Sequence, residues 1–230
     1  MFLDLKDFLP DHPRYRNQGL TDAKNVVPSF KSYQPMKDIA TISTNGLTAR
    51  CQGFASFKSA SGNITSFGAD VSKLYKYQAQ TFTDVSGGTT FTTPIDHQWT
   101  FTQFGNYIIA SNGANAPQVW ELDNSVAFSD LGGSPPNFKF SAVVRSFVVT
   151  AWQPSFRNKV QWSGIGSHTE WTQGTNSSDA VTLFDTPEIT GIVGGEFGII
   201  FSVDKIFQLN FVGGSTIFQV RTIEQQRGCI

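Results

Sequence analysis

FSAVVRSFVVTAWQPSFRNKVQWSGIGSHTEWTQG, residues 140–174, decides the fold. Residues 140–146, 147–153, 158–163 and 170–173 form four short runs rich in Val, Phe and Trp, parted by turn or polar residues. Such side chains suit a pleated, partly buried surface, and no run is long enough for an ordinary helix. The spacing predicts a four-stranded antiparallel meander. A sheet of that size cannot bury both faces alone, so it requires neighbours of the same kind.

Working outward, the same grammar recurs. Before this stretch, strands are expected over residues 50–59, 64–69, 73–78 and 81–85, then over 99–104, 107–111, 118–122 and 127–131. After it they are expected over 188–194, 197–203, 205–211 and 217–223. The Ser61-Gly62-Asn63 turn carries residues that accept the positive φ of tight hairpins. The third strands align as LYKY from Leu74, VWEL from Val119, VQWS from Val160 and IFQL from Ile206. Two fourth strands match more closely, FTDVSGG from Phe82 and FSDLGG from Phe128. A period of roughly 40 to 50 residues with four strands per unit is the signature of a β-propeller.

The expected fold is therefore all-β, a β-propeller of four-stranded antiparallel blades at about 49–86, 97–133, 138–174 and 188–226 within a domain spanning 49–230. Residues 1–48 read as an extended N-terminal arm, punctuated by Pro10, Pro13, Pro28 and Pro35, with a helical turn near residues 20–25. The arm either packs along its own domain or reaches a neighbouring subunit. Arg227-Gly228-Cys229-Ile230 resembles the Arg50-Cys51-Gln52-Gly53 opening of the first unit, as though a fifth blade were starting. Four blades either close on themselves or form the N-terminal part of a larger ring completed elsewhere, and the second is the expectation.

Composition narrows the function. Charged residues make up only 15% of the chain, while Phe and Gly each number 21, a balance that fits glycine turns and aromatic packing. A net charge of -1 gives no general reason to grip nucleic acid. No apolar run approaches the length of a membrane span, and the acidic, proline-bearing N-terminus does not resemble a signal peptide. Cys51 and Cys229 are read as buried free thiols of a reducing compartment rather than a disulfide, and they suggest no zinc site.

Residues able to carry chemistry are scattered. His12, His97 and His168 read as solvated loop residues, with no second ligand at metal spacing. No nucleophile elbow, phosphate-binding loop or calcium loop is present. Asp70, Asp130, Glu170, Glu188 and Glu196 stand at strand ends, where glycosidase propellers gather carboxylates but where turn formation is the commoner role. Trp99, Trp120, Trp152, Trp162 and Trp171 are expected in core and inter-blade packing, with one exposed ring left open as a sugar platform. The pairs Gly87-Gly88, Gly132-Gly133, Gly194-Gly195 and Gly213-Gly214 read as turn residues near blade edges. No catalytic, cofactor-binding or metal-binding residue, and no cofactor, is assigned.

LKDFLPDHP, GLTDAKNVVPSFKSYQPM, FGADVSKLYKY, FTQFGNYIIASNGANAPQVWEL, VQWSGIGSHTEW and ITGIVGGEFGIIF resemble the N-terminal half of tail hub, or nozzle, proteins of short-tailed bacteriophages. These are also called packaged-DNA stabilisation proteins. The resemblance runs over nearly all 230 residues, and its motifs are structural rather than catalytic. It implies a non-enzymatic virion protein of the tail, assembled in the host cytoplasm as a homo-oligomeric ring, usually of six copies, below the portal and its adaptor protein. Such a ring lines the DNA exit conduit without sequence-specific binding and docks tail fibre or needle proteins. Arm residues Arg14, Tyr15, Arg16, Lys24 and Lys31 are the candidate inter-subunit contacts, against a simple solvated role. Family proteins are generally longer than this chain. Two other readings stand beside it: a carbohydrate-binding or glycoside-hydrolysing β-propeller, and a cellular interaction scaffold.

Overall fold

The computed structural model describes residues 7–13, 15–29, 32–38 and 40–229. The chain divides into two compact units, Met1–Ile42 and Ser43–Ile230. Every regular element among the described residues is a β-strand, and no helix is long and apolar enough to cross a membrane.

In the first unit, β1 (Val26–Ser29) and β2 (Ser32–Pro35) form an antiparallel hairpin, extended by Met36 N–H donating to the Asn25 carbonyl. The helical turn expected near residues 20–25 is absent. Asn25 is left-handed (φ 56°), and the β-branched Val26 and Val27 before Pro28 favour extended backbone. Upstream, Leu9 N–H donates to Leu20 and Leu20 N–H to Asp7, closing a loop that Asn17 buttresses through the Leu9 carbonyl.

The second unit contains four antiparallel meanders. Sheet 1 comprises β3 (Gly53–Lys58), β4 (Ile64–Ala69), β5 (Leu74–Gln78) and β6 (Thr81–Asp84). Sheet 2 comprises β7 (Thr100–Phe104), β8 (Tyr107–Ser111), β9 (Gln118–Glu121) and β10 (Ser129–Asp130). Sheet 3 comprises β11 (Phe140–Val144), β12 (Phe147–Gln153), β13 (Phe156–Trp162) and β14 (Asp179–Thr182). Sheet 4 comprises β15 (Ile189–Val193), β16 (Gly198–Ser202), β17 (Ile206–Phe211) and β18 (Phe218–Glu224). Below, the upper rim is the end at which each sheet's first strand begins.

One strand lies elsewhere than expected. The fourth strand of sheet 3 is β14, while residues 170–173 belong to a long connection. Trp171 is drawn out of any pleated ladder because its ring, 4% exposed, fills the gap between sheets 2 and 3 with Ile109, Phe138 and Val148. Its indole N–H donates to the His168 carbonyl at 2.9 Å.

The core is a set of inter-sheet layers. Phe67, Ala69 and Leu74 of sheet 1 cluster with Ile108, Ala110 and Trp120 of sheet 2. Sheets 3 and 4 meet through Val149, Ala151, Val160 and Trp162 against Ile200, Phe207 and Leu209. Alternation along a strand serves both neighbours at once. Ile108 and Ala110 of β8 face sheet 1 whereas Ile109 faces sheet 3, and Val148 of β12 faces sheet 2 whereas Phe147 and Val149 face sheet 4. All seven residues of β12 are accordingly buried.

First strands lie beside one another in chain order, β3 by β7, β7 by β11 and β11 by β15, with no contact of comparable extent between β15 and β3. Trp99 N–H donates to Gln52 at 2.8 Å, and the Thr100 and Thr102 hydroxyls donate to the Lys139 and Ser141 carbonyls, each at 2.9 Å. A parallel bridge joins Val144 to Gly195. Three of the four glycine pairs do more than turn the chain: a Cβ on Gly87, Gly133 or Gly194 would collide with the carbonyl oxygen of Phe128, Thr169 or Val143, each on the adjacent sheet or its loop.

Residues 43–45 run along the free edge of β6. Thr44 N–H donates to the Gln80 carbonyl at 2.8 Å. The Asn45 amide bonds Phe82 twice, donating to its carbonyl and accepting from its N–H, both at 2.8 Å. Neither cysteine is buried: Cys51 precedes β3 and Cys229 follows β18, outside the packed faces, and both are exposed free thiols.

Gly194→Ala is expected to lower unfolding free energy by about 2 to 4 kcal/mol in urea titrations, because backbone must yield at the Val143 contact. Gly46→Ala, with nothing within 4 Å of its added methyl, serves as the near-neutral control.

Candidate assembly faces

Stacking covers both faces of sheets 2 and 3 but one face each of sheets 1 and 4. On the face of sheet 1 turned away from sheet 2, Phe54 stands opposite Gly68, and Tyr77 opposite Phe82. The three rings cluster, with Phe54 6.4 Å from both Tyr77 and Phe82, and Tyr77 5.0 Å from Phe82. Phe54 remains 49% exposed. The strand GFASFK places Phe54 on this face and Phe57 toward sheet 2, so the double-sided aromatic pattern was the sequence signal for a second packing surface.

Sheet 4 presents the complementary parity. Ile200, Phe207 and Leu209 point into the core, leaving Ile199, Phe201 and Ile206 on the other face with the polar Gln208 and Arg221. Val193 and Ile223 extend its apolar margin at 57% and 47% exposure.

The rims hold the titratable groups considered from sequence. At the upper rim, Asp70 is fully buried, and its carboxylate accepts from Thr48 and Tyr75 hydroxyls and from Ser72 and Lys73 N–H groups at 2.7 to 2.9 Å. Burial opposes its charge, but these donors outweigh that effect and hold its pKa below the usual carboxylate range. Asn112 caps the equivalent loop of sheet 2 by accepting from Ala114 and Asn115 N–H groups. Trp152 sits at the β12 bulge with φ 65°, where its indole N–H donates to Glu188 at 2.7 Å. Arg157 bonds the other Glu188 oxygen at 3.4 Å, and His97 packs edge-on to the Trp152 ring. At the lower rim Glu196 pairs with Arg145, which also lies over the Phe211 ring.

The candidate carboxylates therefore stay apart, each with its own local partner; Asp130 accepts from Gln118 and Glu170 from Thr172 N–H. No three His, Cys, Asp or Glu side chains converge on a metal position among the described residues. His97 and His168 are packed rather than solvated. The His97 ring bonds the Asn112 carbonyl, and His168 stacks on Tyr107 at 4.0 Å, where burial lowers its pKa. All five tryptophans are 5% exposed or less, so the sugar platform left open from sequence does not exist as a free indole face.

Arm residues Arg14 and Lys31 lie outside the described residues. Tyr15 is 81% exposed with the Arg16 guanidinium over its ring at 5.4 Å, and Lys24 pairs with Asp22 at 3.3 Å on the surface. The structure joins Tyr15 to Arg16 and leaves Lys24 in a separate ion pair.

No protein-family model matches this chain, and no curated protein matches it at a significant level.

Asp70→Asn is expected to cost about 1 to 3 kcal/mol near neutral pH, since it removes charge-assisted bonds from a buried loop anchor. Because the folded-state pKa is depressed, Asp70's charge-dependent contribution is present above the ordinary carboxylate pKa and disappears as pH falls through the folded value. Urea midpoints of wild type and variant should therefore converge below about pH 4.

Proposed function

We propose that this chain is a non-enzymatic structural component of a phage tail, a hub or nozzle protein whose blade-like sheets belong to a β-propeller. The observation that carries the reading is that sheets 1 and 4 each pack one face on a neighbouring sheet of this unit, at the two ends of a stack whose inner sheets are packed on both faces, with Phe54 exposed on the outer side of sheet 1 and Val193 and Ile223 on that of sheet 4. Such a stack calls for continuation: a further chain or segment packs on those faces to complete the propeller, and copies associate into a ring, six being the expected number. Exposed apolar area rimmed by polar groups is the usual mark of an interaction surface.

A rigid β scaffold of net charge -1 suits a conduit through which a polyanion slides without being held. The arm, with Tyr15 and Arg16 exposed together, docks on a neighbouring subunit or on the portal-adaptor protein, while outer loops receive fibres or a needle. The working location is the virion tail, after assembly in the host cytoplasm.

Sedimentation of the purified chain tests assembly. A discrete ring species is expected, and Phe54→Asp or Phe201→Asp should dissociate it while leaving the far-ultraviolet β signal and urea midpoint within about 1 kcal/mol of wild type. A chain that stays monomeric at high concentration, or rings indifferent to both substitutions, would sink the reading.

A further inference from the structure

The gap between sheets 1 and 2 is not filled along its whole depth. Near the lower rim it opens into a cleft of about 410 Å³, within the range of small-ligand sites. Splaying of adjacent sheets does not by itself leave such a space. In the gap between sheets 3 and 4 the third strands contribute Trp162 and Phe211, and Phe218 packs edge-on to both at 5.0 and 5.7 Å. In the gap between sheets 1 and 2 the corresponding strands contribute Lys76 and Trp120.

Lys76 occupies a core-facing position of β5, in register with Phe67 and two residues beyond Leu74. Its ammonium lies 5.7 Å from the centre of the Trp120 ring and makes no ion pair among the described residues. The Thr65 hydroxyl and Gln78 amide line the same cleft, and neither has a hydrogen-bond partner among the described residues. Three polar groups thus converge on a space between two packed sheets with no protein hydrogen bond or ion pair of their own among the described residues.

The far wall is preset. Asp123 is held left-handed at φ 68°, and its two oxygens accept from Ser61 at 2.5 Å and Asn63 at 3.0 Å. These bonds clamp the β3–β4 hairpin to the β9–β10 connection, and Ala60 N–H adds a third link to Asn106. They keep the carboxyl ionised, its pKa lowered first by Ser61 and then by Asn63. A carboxylate offers about four acceptor positions, so Ser61, Asn63 and Ser59 leave capacity for a ligand hydroxyl. Fixed negative charge on one wall and an unpaired ammonium on the other leave the site near neutral overall.

We infer that this cleft binds a neutral, hydroxyl-rich ligand of monosaccharide size. Lys76 donates to a ligand oxygen, Asp123 accepts from a neighbouring hydroxyl, and Thr65 and Gln78 complete the ring of polar contacts. Vicinal hydroxyls, each both donor and acceptor, answer that mixed set better than an anion, which Asp123 repels. Assembly through the faces of sheets 1 and 4 does not enter this inference, since the cleft lies between sheets 1 and 2.

Nitrogen-proton NMR titration of the whole chain tests it with five probes: the methyl glycosides of glucose, mannose and galactose, then glucuronate, and serine as a zwitterion. At least one neutral glycoside is expected to shift the amides of Thr65, Lys76, Gln78 and Ser125, with a dissociation constant on the order of millimolar. Lys76→Met, which keeps the stem over Trp120, should weaken that binding about tenfold. Gln78→Ala, at an exposed position, should weaken it by a smaller factor and supplies the test if Lys76→Met does not fold. The inference is overturned by absence of cleft shifts with every neutral glycoside at roughly ten times that concentration. Binding that both variants leave unchanged, or tighter binding of glucuronate or serine than of any neutral glycoside, overturns it equally.

Discussion

Each four-stranded sheet of the second unit carries apolar side chains on both faces, and water is a poor neighbour for both. That requirement organises the second unit. Burial of apolar surface contributes about 25 cal/mol per Å², and a four-stranded meander gains it only when another sheet lies against it. β12, buried along its whole length, is the limiting case: Val148 serves one neighbour while Phe147 and Val149 serve the other. The close approach of adjacent first strands follows, and with it the need for glycine where Gly194 meets Val143.

Much of this was legible in the chain. The third-strand pattern repeats because those strands meet the same inter-sheet environment, so LYKY and IFQL lie within observed third strands and VWEL and VQWS do so up to their last residue. The fourth strand of sheet 3 was misplaced because Trp171 satisfies β-propensity and burial equally well from a loop. The hairpin of β1 and β2 was hidden behind Pro28 and Pro35, which do not exclude extended pairing in an isolated two-stranded ribbon.

Site-level features were harder to read for a definable reason. The Asp70 anchor and the Asp123 clamp draw donors from residues up to 62 positions away, and spacing in sequence carries no trace of them. Histidine misled where tryptophan did not: His97 and His168 are packed against aromatic rings rather than solvated, whereas all five tryptophans are buried as core and inter-blade packing requires. Cys51 and Cys229 look like core residues by type, yet lie just outside the first and last strands of the stack.

The amide of Asn45 bears on how molecules of this kind avoid the wrong partners. By occupying both backbone groups of Phe82, it denies an incoming peptide the hydrogen bonds at the middle of β6 that would seed strand addition. A single side chain thus does the work of a protective strand without offering a new edge of its own. The route toward fibrillar polymerisation is blunted there.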